Sequence, residues 1–309
     1  MNRQRLSHIG SALLSLLLFA LSIWAITQEL QKYHIREVWK SLAAISTSHL
    51  LLAVGLTSVN YIVLTGYDTL AVRYIRHPLP YPKTALVAVI SYAISNSVGL
   101  ALLSGSTIRY RFYRPWDLSI AQIAQIIAFC NWSFWLGLFA VGGVLFLIEP
   151  VEVPALLHLP VTSVHPIGVI FSLVVISYLF ISILSKKPLR VGRLTIPHLP
   201  INLCLAQIAI TSLDWSLAAA VLYVLLPASV PISYPGFFGI YLLAQIAGII
   251  SNVPGGLGVF ETVMLLLLSP PISSAELFGA LLAYRGIYYF LPLSLAALLL
   301  GLYEIRRRF

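Results

Sequence analysis

Two ionisable side chains lie in the apolar C-terminal part of the chain. Glu261 follows a Pro-Gly-Gly sequence, and Arg285 lies inside the last apolar stretch. A charged group within a membrane span costs about 2.5 to 3.5 kcal/mol on insertion scales, so such a residue is a candidate for function. An arginine can hold a phosphate through two parallel hydrogen bonds. The two residues predict a site for a charged ligand or a structural ion pair between them, and both interpretations can hold together.

Two further carboxylates recur with the same neighbour. Asp68 follows Thr65 by three positions, and Asp214 follows Thr211 by three positions. Matched carboxylates could neutralise a cationic head group or relay protons. The alternative is that each caps or orients a hairpin by hydrogen bonding.

A group of arginines interleaved with aromatic residues gives a third candidate site. Arg109 and Arg111 alternate with tyrosine and phenylalanine after a polar interruption. Such a segment is typical of an anchor at the membrane surface. The functional alternative is that both arginines form a cytoplasmic entrance for phosphate groups.

The composition indicates the medium in which these residues must act. Hydrophobic residues make up 59% of the 309 residues and charged residues only 9%, whereas about a quarter of the residues of a soluble globular protein are charged. The chain is therefore predicted to be an integral membrane protein. The net charge of +9 comes from lysines and arginines that lie mostly in short loops and at the termini. This placement indicates membrane orientation and argues against nucleic acid as a partner. All seven histidines fall in predicted loops or at span ends, and no metal or cofactor motif appears.

A helix needs about 20 apolar residues to cross about 30 Å of hydrocarbon. Six stretches meet this requirement: about 9–26, 49–73, 119–148, 166–184, 201–226 and 279–303. Two more, 84–108 and 236–270, are interrupted halfway by polar residues, glycine or proline. Proline and glycine both disfavour a continuous helix, so each interrupted stretch is predicted to be a re-entrant hairpin. The predicted tips contain Ser95, Asn96 and Gly99 in the first hairpin, and Ser251, Asn252, Pro254, Gly255, Gly256 and Gly258 in the second. At both tips the serine and asparagine side chains are expected to satisfy freed backbone groups rather than to bind ligand.

Positive charges distinguish this arrangement from a plain count of eight full spans. With a cytoplasmic N-terminus, eight spans place ten lysines and arginines outside and eight inside. Two hairpins leave only Lys32, Arg36 and Lys40 outside and fifteen inside, which fits the positive-inside rule. The sequence therefore predicts an all-α protein of six spans and two hairpins with both termini cytoplasmic.

Each half of this single domain, about 1–155 and 156–309, then has three spans and one hairpin. Because three crossings are an odd number, the second half is predicted to be inverted relative to the first. Inverted repeats of this kind, with broken helices meeting near the midplane, are typical of secondary transporters.

The strings around these residues resemble a known family. They are Ser-Asn-Val-Pro-Gly-Gly-Leu-Gly-Val-Phe-Glu over 251–261, Gly-Ser…Arg-Tyr-Arg over 105–111, and Tyr-Arg…Tyr-Tyr…Pro over 284–292. Together they are similar to the flippase-type transmembrane domain of lysylphosphatidylglycerol synthetase/flippase proteins, including its stand-alone members. The resemblance implies a bacterial or archaeal inner-membrane protein that moves a polar-headed lipid between leaflets. The chain has no room for the aminoacyl-transferase domain of the fused proteins, so we expect it not to be an enzyme.

The expected partners are membrane phospholipids with anionic or aminoacylated head groups, and no cofactor is expected. A homodimer is an open alternative to a monomer. Two other classes of function also stay open: a non-catalytic membrane subunit, and a component of a lipid-modifying enzyme that uses carboxylates alone.

Overall fold

The chain folds into a bundle of apolar helices. The computed structural model describes residues 35–98, 101–149, 163–184, 189–191, 194–196, 199–227, 232–251, 253–269 and 272–308. Within these residues, five helical stretches are long and apolar enough to cross a membrane: Thr47–Tyr74, Ile120–Ile148, His165–Leu184, Ile201–Tyr223 and Ser274–Ile305. The predicted all-α polytopic fold is confirmed. The first predicted span, 9–26, lies outside the described residues.

The helices are numbered here in chain order. The first half contains α1 Ile35–Ala44, α2 Thr47–Tyr74, α3 Tyr81–Val98, α4 Ala101–Tyr113 and α5 Ile120–Ile148. The second half contains α6 His165–Leu184, α7 Ile201–Tyr223, α8 Tyr234–Ile250, α9 Val259–Leu268, α10 Ser274–Tyr284 and α11 Leu291–Arg308. Two short strands that the sequence analysis did not predict, β1 Leu189–Val191 and β2 Leu194–Ile196, pair antiparallel between α6 and α7.

The first interrupted stretch forms a hairpin. Helices α3 and α4 pack so closely that a Cβ atom added to Gly105 would lie 2.6 Å from Ser95 Oγ. At the other end of the hairpin, Lys83 Nζ lies 5.0 Å from the ring centroid of Trp116, which follows α4. Both ends of the hairpin therefore lie together, and the chain returns to the side from which it entered.

The second interrupted stretch turns back through a glycine-rich loop. Gly255, Gly256 and Gly258 have φ angles of 62°, 63° and 78°, in the left-handed region that only glycine adopts without strain. The turn brings Gly256 against Gly248 of α8, where an added Cβ would meet the Gly256 Cα at 3.3 Å. Helix α9 has 10 residues and is about 15 Å long, half of the bilayer core. It is too short to be a span.

The two halves meet along α2 and α7, which run antiparallel. Asn60 contacts Asp214, and Gly66, further along α2, contacts Ile210, which comes earlier in α7. Eight full spans would make these two helices parallel, so that count is wrong. Arg111 and Glu304 support the same conclusion, since their 2.6 Å ion pair joins the end of α4 to the end of α11. The division into halves 1–155 and 156–309 stays a prediction.

The last helix differs from the prediction in length and geometry. It begins at Ser274 and not near 279, so Arg285 lies about three turns inside it. Residues Arg285–Phe290 form a π-helical segment between α10 and α11. A π-helical turn is rare, is often found at functional sites, and places an extra residue in the helix.

Candidate functional site

The tips of the two hairpins touch each other. A Cβ atom added to Gly255 in the second tip would lie 3.3 Å from the carbonyl oxygen of Ser97 and 3.7 Å from that of Asn96. Any side chain at position 255 would therefore press on the backbone of the first tip. The absence of a side chain lets the two loops meet backbone to backbone.

Arg285 holds the second tip from the last helix. Its Nε donates to Glu261 Oε1 at 2.7 Å, and its Nη1 donates to the carbonyl oxygen of Gly255 at 2.8 Å. Both charged residues are buried, with 4% of Arg285 and 6% of Glu261 exposed. The arginine thus links α9, the glycine turn and the π-helical segment, and it lies next to the contact between the tips.

The sequence Pro-Gly-Gly-Leu-Gly-Val-Phe-Glu accounts for this geometry. The glycines permit the left-handed turn, and Gly258 is the residue that precedes the first turn of α9. Glu261, in that turn, accepts a hydrogen bond from the Gly258 amide through Oε2 at 2.8 Å. One carboxylate oxygen therefore caps the helix, where a negative charge is favourable, and the other binds Arg285.

One side of the Arg285 guanidinium keeps hydrogen-bonding capacity. Its Nη2 lies 2.7 Å from Glu261 Oε1 in the ion pair, is buried, and has no hydrogen-bond partner among the described residues. The guanidinium carbon lies 4.5 Å from the Tyr289 ring centroid and 5.6 Å from that of Phe260. Aromatic rings stabilise the cation without using its N–H groups, so this nitrogen can still donate to an anion.

A second buried ion pair joins the first hairpin to α2. Arg109 donates from Nε to Asp68 Oδ1 at 2.9 Å and from Nη2 to Oδ2 at 2.7 Å. Tyr113 also donates to Asp68 Oδ1, at 2.8 Å. The Arg109 guanidinium carbon lies 4.9 Å from the ring centroid of Tyr92. Asp68 thus positions the returning arm of this hairpin, which is the hydrogen-bonding role that the sequence left open.

Asp214 has different partners from Asp68 despite the matching sequence context. Its Oδ1 accepts from Asn60 Nδ2 at 2.8 Å and its Oδ2 from Tyr67 Oη at 2.7 Å, both on α2. Asn60 Oδ1 in turn accepts from Tyr288 Oη at 3.0 Å. The carboxylate is therefore part of a polar network between α2, α7 and the last helix.

The other predicted site residues are more scattered. Arg111 is partly exposed and pairs with Glu304, apart from the Asp68 pair. Ser251 Oγ donates to Gly248 O at 2.7 Å and accepts from the Val253 amide at 3.2 Å, so it binds backbone at the turn. Ser95 and Asn96 belong to the last turns of α3 and not to a break in it, while Pro254, Gly255 and Gly256 form a 3₁₀ turn. Gly99 and Asn252 lie outside the described residues.

Tyrosines at the centre of the bundle were missed from the sequence. Tyr241 and Tyr284 share a hydroxyl hydrogen bond of 2.8 Å, and Gln245 donates to Tyr241 at 2.9 Å. The Tyr284 and Tyr288 rings stack with centroids 5.2 Å apart. The sequence contained a pattern that could have indicated them, because Tyr241 and Gln245, and likewise Tyr284 and Tyr288, are spaced four residues apart on a helix. The pattern was overlooked because tyrosine counts as apolar in a search for spans. Among the described residues, no three histidine, cysteine, aspartate or glutamate side chains are grouped as metal ligands.

Comparison with known proteins identifies the family. Residues 11–296 match the model described as the lysylphosphatidylglycerol synthase TM region. The chain belongs to this family. It is a multi-pass membrane protein of a lipid-related family, as the resemblance implied.

Two similar proteins match over nearly their whole length. Protein slr0712 of Synechocystis is 55% identical over 302 residues, which cover 98% of this chain and 94% of slr0712. Inner membrane protein YbhN of Escherichia coli is 31% identical over 293 residues, covering 94% and 91%. The phosphatidylglycerol lysyltransferase of Staphylococcus xylosus is 26% identical, and the match covers 98% of this chain but only 35% of that longer protein.

Proposed function

We propose that this protein moves a phospholipid or another polar-headed lipid between the two leaflets of the membrane, without modifying it. The observation that carries the proposal is the buried Arg285, which lies where the hairpin tips meet and whose Nη2 contacts only the Glu261 carboxylate among the described residues. A lipid phosphate presents the acceptor oxygens that such a nitrogen requires. The head group is anionic or aminoacylated, and aminoacyl-phosphatidylglycerol is one candidate.

The two ion pairs suit the alternate opening of two gates. Arg109 and Asp68 attach the first hairpin to α2, whereas Arg285 and Glu261 attach the second hairpin to the last helix. An arginine can exchange a carboxylate partner for a phosphate while keeping the same planar geometry of hydrogen bonds. Each hairpin can therefore separate from its helix when a head group replaces the carboxylate, and the acyl chains stay in the bilayer.

The distribution of lysines and arginines suggests how the protein is oriented in the membrane. In the proposed topology both termini are cytoplasmic, the first hairpin opens to the cytoplasm and the second opens to the outside. The name of YbhN places that relative in an inner membrane. We therefore propose a bacterial or archaeal cytoplasmic membrane as the location of this chain.

Purified protein in liposomes with fluorescent phosphatidylglycerol tests the proposal directly. Dithionite bleaches the label in the outer leaflet only, so lipid movement becomes a second, slower loss of fluorescence. We expect wild-type protein to accelerate this loss over empty liposomes. Arg285→Lys should be about tenfold slower, since it loses a charge-assisted hydrogen bond worth roughly 1.5 kcal/mol.

Arg36→Lys, an exposed arginine of α1, is the matched control and should keep the wild-type rate. If wild-type protein moves no anionic, zwitterionic or aminoacylated lipid faster than empty liposomes, the transport proposal is wrong. If Arg285→Lys and Glu261→Gln both keep the wild-type rate, the head-group site lies elsewhere.

A further inference from the structure

The buried charges of the described residues do not balance. Three acidic side chains, Asp68, Asp214 and Glu261, are buried, together with two basic ones, Arg109 and Arg285. Arg109 pairs with Asp68, and Arg285 pairs with Glu261. Asp214 is left without a cation in this part of the chain. A buried carboxylate without a counter-charge is strongly disfavoured in its ionised form.

The groups that face Asp214 are neutral. Asn60 and Tyr67 donate to the carboxylate from α2, and none of the ion pairs among the described residues includes Asp214. The titratable groups near enough to sense the charge of Asp214 are tyrosines: Tyr61 and Tyr67 of α2, Tyr92 of α3, Tyr241 of α8 and Tyr288 of the π-helical segment.

The same contacts serve both protonation states of the carboxyl group. When Asp214 is ionised, Asn60 Nδ2 and Tyr67 Oη each donate to one of its oxygens. When Oδ2 carries a proton, it can donate to Tyr67, because a tyrosine hydroxyl can rotate and act as an acceptor. Protonation therefore leaves Asp214 with the same two hydrogen-bond partners.

A chain of hydrogen bonds and one ring stack connects Asp214 to the second hairpin. Asn60 bonds to both Asp214 and Tyr288, which lies three residues after Arg285. Tyr288 stacks on Tyr284, whose hydroxyl bonds to Tyr241 on the entering arm of the hairpin. A change of charge at Asp214 therefore acts on the same helix and hairpin that hold the head-group site.

We propose that Asp214 binds and releases one proton in each transport cycle and thereby couples lipid movement to a proton gradient. This inference rests on the proposed function. The proton passes between the carboxylate and water and no other bond changes. In the protonated state the buried charges of the described residues balance, and in the ionised state the excess negative charge at the α2–α7 contact favours opening to water.

The test uses wild-type protein, Asp214→Asn and the matched control Asp117→Asn, whose side chain is exposed and whose φ of 63° suits asparagine. Each is placed in liposomes with fluorescent phosphatidylglycerol, with and without a pH difference of about one unit. For one proton per lipid, that difference shifts the distribution of lipid between leaflets by up to about tenfold. We expect the shift in wild type and Asp117→Asn, and none in Asp214→Asn.

A second measurement needs no lipid movement. Infrared difference spectra between acid and alkaline pH should show the band of a protonated, buried carboxyl group in wild type and Asp117→Asn but not in Asp214→Asn. If Asp214→Asn does not fold, Tyr67→Phe replaces it, and should move the band and weaken the response to the gradient.

The outcomes separate the two proposals. If lipid moves but neither rate nor distribution responds to pH, or a sodium gradient drives it instead, proton coupling is wrong and the proposed function stands. If wild type moves no lipid, the proposed function fails, and the infrared band alone decides whether Asp214 binds a proton.

Discussion

Glu261 has a structural role and a proposed binding role at the same time. One carboxylate oxygen caps α9 through the Gly258 amide, and the other binds Arg285. Removing one partner of a buried ion pair costs about 3–5 kcal/mol, because the remaining charge is left uncompensated. A neutral amide at position 261 keeps an acceptor for the cap, so the two roles can be separated by substitution.

Glu261→Gln should therefore lower the melting temperature of the purified protein, and Glu261→Ala should lower it further because it also removes the cap. Thermal unfolding in detergent, followed by tyrosine and tryptophan fluorescence, measures both. The control is Glu276→Gln, an exposed glutamate in the first turn of α10. Equal shifts for the 261 and 276 variants would show that the Arg285 pair contributes nothing to stability.

At the scale of residues, the sequence identified charges more reliably than partners. Glu261, Arg285, Asp68 and Asp214 stand out because an ionisable residue is rare in an apolar stretch. Their contacts depend on which helices are neighbours, so the pairing of Arg109 with Asp68 could not be read from spacing alone. The matching contexts of Asp68 and Asp214 suggested equal roles, but only Asp68 has a cationic partner among the described residues.

At the scale of elements, each hairpin depends on glycine where its two arms approach. In the first hairpin Gly105 lies against Ser95, and the Nη1 of Arg109 would be 3.1 Å from an added Cβ. In the second, Gly248 lies against Gly256. Small residues let helices approach closely in a membrane, where packing and not the hydrophobic effect drives their association.

Gly105→Ala should destabilise the protein, since its Cβ would lie 2.6 Å from Ser95 Oγ and would force the arms of the hairpin apart. The matched control is Gly301→Ala on the exposed side of α11, where nothing lies within 4 Å of the added Cβ. That control should be neutral or stabilising by up to about 1 kcal/mol, because alanine favours the helix. Melting temperatures of the two variants in the same detergent make the comparison, and a Gly105→Ala protein as stable as the control would contradict the close packing of the arms.

The interruption of the second hairpin could be predicted from the sequence, whereas the π-helical segment of the last helix could not. Pro254, Gly255 and Gly256 mark the end of a helix by their own backbone chemistry. The π-helical segment at Arg285–Phe290 contains neither proline nor an unusual run of glycine. Arg285, Tyr288 and Tyr289 of this segment are buried, and their packing is tertiary information that the local sequence does not give.

At the scale of the whole molecule, the antiparallel contact between α2 and α7 relates the fold to the membrane. An even number of full crossings must lie between two antiparallel spans, and α5 and α6 are the two here because the first hairpin returns to its own side. The count of positive charges predicted the antiparallel orientation of α2 and α7 from the sequence. The positive-inside rule applies to the complete topology and needs no knowledge of contacts. The homodimer and the exact limits of the repeat stay predictions.

Labelling of Ser119→Cys and Ser233→Cys tests the orientation. Both serines are exposed and precede a helix, α5 and α8, whereas the native Cys130 and Cys204 are buried. With two hairpins, a membrane-impermeant maleimide added to intact cells should label position 233 and should label position 119 only after lysis. Eight full spans require the reverse pattern, and observing it would overturn the topology.

The helix ends that meet at the two hairpin tips determine the electric field between the tips. Each hairpin brings the C-terminal end of one helix, with a partial negative charge, beside the N-terminal end of the next, with a partial positive charge of about half an elementary charge. These helix dipoles largely cancel, and Glu261 with Arg285 is a neutral pair. A phosphate that enters this junction therefore adds a full negative charge with no fixed counter-charge waiting for it. In the transport function proposed above, an anionic head group is therefore expected to move together with a proton or another cation that compensates its charge.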